Sequence, residues 1–171
     1  MTSQKLIFVS GLPGSGKSTV ADGLSRSLSI PVFSINPIEA AMWRNGLAQS
    51  QTGIAAYEVA SALADEHLRL GHSVIIDAVN PIEAPREGWR ILAAKYGADL
   101  KIIELICANE ATHRRRVEAR RRNIDGMPEI SWSRVEERRA EYEPWTDQRL
   151  TLDTSASTPE KLLADALEYL R

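Results

Sequence analysis

The sequence predicts an α/β fold of three layers, a five-stranded parallel sheet with helices on both faces, and three observations carry that expectation. Short apolar runs rich in β-branched residues alternate with longer stretches of helical periodicity. The first run opens into a glycine-rich turn and then a helix, in "KLIFVSGLPGSGKSTVA", Lys5 to Ala21. The chain of 171 residues has no internal repeat and no low-complexity linker, which is the length and texture of one domain with a full core.

Taken in order, the strand-like runs are Leu6 to Ser10, Val32 to Ile35, Val74 to Ala78, Leu100 to Cys107 and Leu150 to Asp153. They are continuous rather than alternating, as expected of strands buried on both faces. Helical patterns fill the intervals at Lys17 to Ser29, Pro37 to Ala48, Gly53 to Leu70, Pro85 to Tyr96, Glu110 to Arg122 and Trp132 to Tyr142. A last helix starts at "STPEKLL", with Thr158 as N-cap, Pro159 in the first turn and Glu160 near the positive end.

Charge is balanced, 21 basic against 23 acidic residues for a net −2, which argues against indiscriminate binding to nucleic acid or membranes. Cys107 is the single cysteine, so no intrachain disulfide forms, and its place at the end of an apolar run predicts a small buried residue. The N-terminal apolar run is too short for a signal peptide and no stretch approaches a membrane span, so a cytoplasmic protein is expected. His67, His72 and His113 lack the close spacing of a zinc site.

The glycine turn matches G-x-x-x-x-G-K-[ST] at Gly11, Gly16, Lys17 and Ser18, with Leu12, Pro13, Gly14 and Ser15 between. Such a turn lets backbone N–H groups close around an anion at the positive end of the following helix. Phosphate is its natural guest. From Gly11 to Thr19 the loop would cradle ATP, with Lys17 on the β- and γ-phosphates and the Ser18 hydroxyl on Mg²⁺. A dinucleotide fingerprint matches less well, because Gly14 and Gly16 are followed by Thr19 where the third glycine belongs.

Ligands of parallel sheets bind beyond the carboxyl ends of the strands, so the residues following each run are the candidates. Asp77 closes "SVIIDAVN" and is positioned to complement Ser18 at Mg²⁺; Asn80, before Pro81, reads equally well as a turn-former. "HRRRVEARRR" carries six arginines in ten residues. Arg116 and Arg120, four apart, should share a helix face with Val117 on the buried side, and Gly126 and Pro128 should stop that helix. A second helix bearing Arg134, Arg138 and Arg139 completes a lid over roughly 116–135 that would bring guanidinium groups to the transferring phosphate and exclude water.

An acceptor site is expected after the second strand, where Asn36 leaves the run and Glu39, Trp43 and Arg44 follow. A carboxylate there would take the proton of an attacking hydroxyl, but Asn36 is an amide, which orients a hydroxyl without accepting its proton. Glu39 is the alternative base, although an acid near a helix start is also favoured electrostatically. Met42, Trp43 and Leu47 could equally form a core stripe, and Tyr57, Glu58 and Ser61 are further candidates on the next helix.

With the glycine turn, "VIIDAVN" and the arginine-rich segment together, the chain resembles the P-loop kinase superfamily, in particular the compact AAA-like ATP-binding kinases related to polynucleotide kinase and chloramphenicol phosphotransferase. That resemblance implies the three-layer P-loop kinase fold with strand order 2-3-1-4-5, ATP with Mg²⁺, and a mobile helical lid whose arginines map to Arg116 and Arg120. Both relatives have Asp where this chain has Asn36. Polynucleotide kinase also has Arg at the position of Glu39, which turns the expectation away from nucleic-acid ends and toward a small hydroxyl-bearing acceptor. A 5′-hydroxyl kinase of nucleic acid or nucleosides and a nucleotide-binding regulator with little transfer activity are the alternatives.

Overall fold

In the computed structural model, residues 4–171 are described. Five strands, β1 (Lys5–Ser10), β2 (Val32–Ser34), β3 (Val74–Asp77), β4 (Asp99–Ile106) and β5 (Leu150–Asp153), form one parallel sheet in the order β2-β3-β1-β4-β5. The helices are α1 (Lys17–Leu28), α2 (Ile35–Arg44), α3 (Gln49–Arg69), α4 (Glu83–Tyr96), α5 (Glu110–Ala119), α6 (Trp132–Glu141) and α7 (Pro159–Tyr169).

Alternation along β1 divides the core between the two faces of the sheet. Leu6 and Phe8 face α3 and α4, where Ala56, Ala60 and Ala64 form a stripe of small side chains at four-residue spacing that lets α3 lie close against the sheet. Ile7 and Val9 face α1 and α7, packing on Val20, Leu24, Leu162 and Ala166. Because β1 is central and covered on both sides, the loop leaving it is held at a fixed height above the sheet.

Several boundaries differ from the sequence expectation. The second strand stops at Ser34, so Asn36 lies in the first turn of α2 rather than at a strand end; Pro37 does not delay the helix, because the first turn needs no N–H from it. Helix α2 ends at Arg44, short of Ala48, and α3 starts at Gln49, four residues before Gly53. Gly53 is an ordinary exposed helical position with open space around it. Helix α5 ends at Ala119 instead of Arg122, since Arg120 turns to extended backbone (φ −67, ψ 140) and Asn123 adopts a left-handed φ of 52. Arg116 and Arg120 therefore do not share a helix face. Cys107 is half-buried rather than buried, because it has left β4 for the following loop.

Arg86 of α4 anchors the turn after β3. Its side chain is fully buried and donates to the carbonyls of Asn80 (3.1 Å), Pro81 (3.3 Å), Glu143 (2.7 Å) and Pro144 (3.1 Å), with its guanidinium carbon 4.0 Å from the centre of the Trp145 ring. A buried guanidinium is tolerated when its donors are satisfied, and carbonyl oxygens with an aromatic face supply that here. The result joins the turn after β3 to the segment leaving α6.

Candidate active site

The loop between β1 and α1 has the backbone its glycines permit. A Cβ on Gly11 (φ 146) would stand 2.2 Å from the Leu105 carbonyl oxygen, and one on Gly14 (φ 79) would stand 2.5 Å from a Val117 methyl. The loop is thus pressed between β4 and α5, and only glycine fits at those contacts. Lys17 is buried, 7 % exposed, and its Nζ donates to the Leu12 carbonyl at 3.2 Å. Burial pushes its ammonium down from 10.5 to about 8; Asp77 opposes this shift, while Arg120 and Arg122 add to it. Several positive charges therefore converge on a loop that holds no anion of its own, as an anion-binding site requires.

Asp77 ends β3 beside Ser18. The Ser18 hydroxyl donates to Asp77 Oδ2 at 2.8 Å, and Ser34 donates to the same oxygen at 3.1 Å. Ser34 was not singled out by the sequence patterns, yet a signal was present: it is the N-cap residue of α2, and its hydroxyl makes no capping bond because it is committed to Asp77. Two hydroxyls and a carboxylate so close together suit a small hard cation, and Mg²⁺ fits this donor set. Ser34→Ala should leave the melting temperature nearly unchanged, since no cap is lost, while weakening Mn²⁺ binding in the presence of ATP by about tenfold, as removal of outer-shell support does. Paramagnetic resonance of bound Mn²⁺ measures this; an unaltered Mn²⁺ affinity would reduce Ser34 to a packing role.

The segment 120–131 carries the lid arginines. Arg120 is half-buried, its guanidinium pKa lowered by burial and by Arg122, with Glu129 and Asp77 acting in the opposite sense. Arg122, unmarked in the sequence reading, has a side chain only 7 % exposed, donates to the Pro128 carbonyl at 2.7 Å and sets its buried Nε, which makes no hydrogen bond, 3.7 Å from the Glu129 carboxylate. Arg116 is elsewhere: it grips Thr154 through the hydroxyl and the carbonyl, both at 2.8 Å. Thr154 in turn lies 3.3 Å from where a Gly16 Cβ would be, so Arg116 stands on the β5 side of the loop while Asp77 closes β3 on the other side of β1.

His113 fastens α5 to the loop. Its Nε2 lies 2.8 Å from the Pro13 carbonyl, which only accepts, so Nε2 carries the proton and the neutral ring presents Nδ1 to Arg139 at 3.3 Å. Burial holds its pKa below the usual histidine value, consistent with that neutral form.

On the acceptor side, Glu39 accepts from Thr52 at 3.0 Å, and Thr52 accepts from the Trp43 indole at 2.6 Å. Glu39 and Trp43 thus tie α2 to α3. Arg44 reaches away, donating to the Asp125 carbonyl in the lid turn. Asn36 is half-buried. Tyr57 of α3 receives the Asn80 N–H at 3.0 Å; burial raises its phenol to about 12, with Arg138 acting against this and Glu39 and Asp77 with it.

The glycine loop on the central strand, with Ser18 against Asp77, sits on a sheet with the strand order of the P-loop kinase fold. A family model described as an AAA domain matches residues 6–145, and the chain belongs to that family. Among curated proteins no sequence relative matches the chain. Solved structures share the fold: an unliganded sugar kinase from Janibacter (TM-score 0.72, 20% identity, covering 98% of this chain and 94% of that one) and a gluconokinase from Sinorhizobium meliloti (0.69, 18%, 99% and 93%). The APS kinase of Mycobacterium tuberculosis, in complex with AMPPNP and APS, is a third (0.68, 20%, 99% and 99%). Among the described residues, no helix is long and apolar enough to cross a membrane.

Proposed function

We propose that the protein transfers the γ-phosphate of ATP to a hydroxyl of a small molecule. The observation that carries this reading is the grouping of Lys17, the Ser18–Asp77 pair and the half-buried Arg120 about one loop. That the structural neighbours include sugar, gluconate and APS kinases supports a small acceptor. The acceptor oxygen would attack the γ-phosphorus as its bond to the β–γ bridging oxygen breaks, ADP departs, and the hydroxyl proton passes to a nearby base or to the phosphate. Lys17 neutralises the phosphates before and during transfer. Ser18 and Asp77 would hold Mg²⁺, which supplies charge neutralisation at the β- and γ-oxygens. Arg120 and Arg122 act on the equatorial oxygens, and Arg116, against Thr154, borders the nucleoside end. The acceptor lies between α2, α3 and α6, near Tyr57 and Asn36, with Glu39 and Trp43 shaping its wall.

A screen of metabolites for ATP-dependent phosphorylation, read by ³¹P resonance, tests the reading; ATP binding without transfer to any hydroxyl compound would leave a regulator instead. Nucleic acid is a poorer acceptor, because three of the outward arginines on α5 and α6 already face carboxylates, Arg114 with Glu118, Arg134 with Glu137 and Arg138 with Glu141. With an acceptor in hand, Arg120→Ala should lower kcat by about a hundredfold with KM for ATP little changed, whereas Arg116→Ala should raise KM for ATP and spare kcat. The opposite split would exchange the two assignments.

A further inference from the structure

The tip of the lid segment rests on α2. Gly126 adopts a left-handed φ of 81, and a Cβ there would stand 2.7 Å from Arg44 Cγ, 3.4 Å from Arg44 Cδ and 3.5 Å from the Ala40 carbonyl oxygen. The turn thus lies directly on the aliphatic stem of Arg44, a fit that only glycine allows. Beyond that stem the Arg44 guanidinium donates to the Asp125 carbonyl. The Asp125 carboxylate, 92 % exposed and 3.8 Å from Arg44 Nε, adds little to this contact.

Behind the tip the segment closes on itself. The Arg122 N–H donates to the Glu129 carboxylate at 2.7 Å, the Arg122 guanidinium to the Pro128 carbonyl at 2.7 Å, and the Met127 N–H to the Ile124 carbonyl at 3.0 Å. Residues 122–129 therefore form one closed unit, and what fixes its tip also fixes its root. Arg120 stands at that root, after α5 has ended at Ala119, so the helix does not set its direction. The positive charges of Arg120 and Arg122 oppose that of Lys17, while Asp77 and Glu129 act in the other sense on Arg120. Without an anion between them the like charges press the segment outward, and the contact on α2 resists this.

We propose that Arg44 is a positioning residue for phosphoryl transfer: its contact with Gly126 and the Asp125 carbonyl holds the lid segment on α2 and so sets Arg120 beside the phosphate loop. Arg44 itself touches neither nucleotide nor acceptor. The inference rests on the kinase reading, and it gives α2 a second duty beside the wall that Glu39 and Trp43 form.

Two readouts test it. In the nucleotide-free protein, phenylglyoxal modifies accessible arginines and peptide mass mapping gives the rate at each one. Arg44→Ala should speed modification of the half-buried Arg120 by about fivefold, as local release of a segment does, while the exposed Arg115 keeps its rate. ATP hydrolysis, with water in the acceptor's place, gives the second. Arg44→Ala should lower its kcat by about tenfold with KM for ATP little changed, the cost of a misplaced charge-stabilising group. In an Arg120→Ala background it should lower kcat no further, because Arg44 acts through Arg120. Gly126→Ala breaks the same contact from the lid side and should reproduce both effects, which keeps the test open if Arg44→Ala folds poorly. Unchanged Arg120 modification, hydrolysis spared by Arg44→Ala, or losses from Arg44 and Arg120 that simply add would each overturn the proposal. Where hydrolysis is too slow to follow, the modification rates decide alone. ATP affinity of the parent is measured first: its absence ends the kinase reading, whereas the modification rates still report the contact on α2.

Discussion

Lys17→Met should abolish ATP binding and yet leave the nucleotide-free protein more stable than the parent at neutral pH. The ammonium sits in a buried position beside Arg120 and Arg122, and its pKa of about 8 against an ordinary 10.5 measures the cost of keeping it charged there. Between these values the unfolded chain binds the extra proton and the folded one does not, so stability rises with pH through that window. Below about 8 the whole penalty is present, on the order of 3 kcal/mol for a shift of this size. Methionine removes it, and a chain of this length should then melt several degrees higher. The advantage should shrink as pH is raised from 7 to 10, because the parent lysine discharges. ATP binding to the parent should weaken above about pH 8 and take up protons there, visible as a buffer-dependent calorimetric heat. A variant that melts lower at pH 7, or an ATP affinity flat across pH 8, would contradict this account of the loop.

Asn36→Asp should raise the rate of transfer to a verified acceptor by about a hundredfold or more, the scale of a positioned general base. The position is in the first turn of α2, two residues from Ser34 and hence near the Asp77 end of the loop. The first turn of α2 contains no acidic residue, so a carboxylate there also gains from the helix dipole, about 0.3–1 kcal/mol. ATP affinity should hardly change. The pH–rate profile should acquire a limb that an amide cannot produce, while Glu39→Gln, whose carboxylate is occupied by Thr52, should cost less than the Asp gains. If the Asp variant matches the parent in rate and pH dependence, and Glu39→Gln is inactive, Glu39 is the base and the acceptor lies deeper between α2 and α3.

The parallel strands were legible because burial on both faces leaves continuous apolar runs, and the glycine loop because a phosphate cradle imposes residue types at fixed spacing, whereas the strand order came from the resemblance to P-loop kinases. Asp77 beside Ser18 followed from the same logic. What escaped were contacts set by side-chain direction across elements. Nothing in "HRRRVEARRR" distinguishes Arg116, bound to Thr154, from Arg120 and Arg122, whose positive charges oppose that of Lys17, because a break in the helix after Ala119 separates them. Ser34 and His113 escaped for a related reason: each acts on a partner far along the chain, Asp77 and Pro13, that local periodicity does not report.

The burial of Arg86 has a mechanical consequence. By fastening the backbone at Glu143 and Pro144 to the turn after β3, it makes the root of α6 part of the frame, while His113 fastens α5 to Pro13. The segment between Arg120 and Ser131 is then slung between two fixed posts, and its contacts with the rest of the chain include the bridge from Arg44 to Asp125. Such a span can change in length or sequence without loosening either post. Change confined to the outer part of the span, Asn123 to Met127, therefore keeps Arg122 with its partners Pro128 and Glu129 and leaves the walls on α2 and α3 in place.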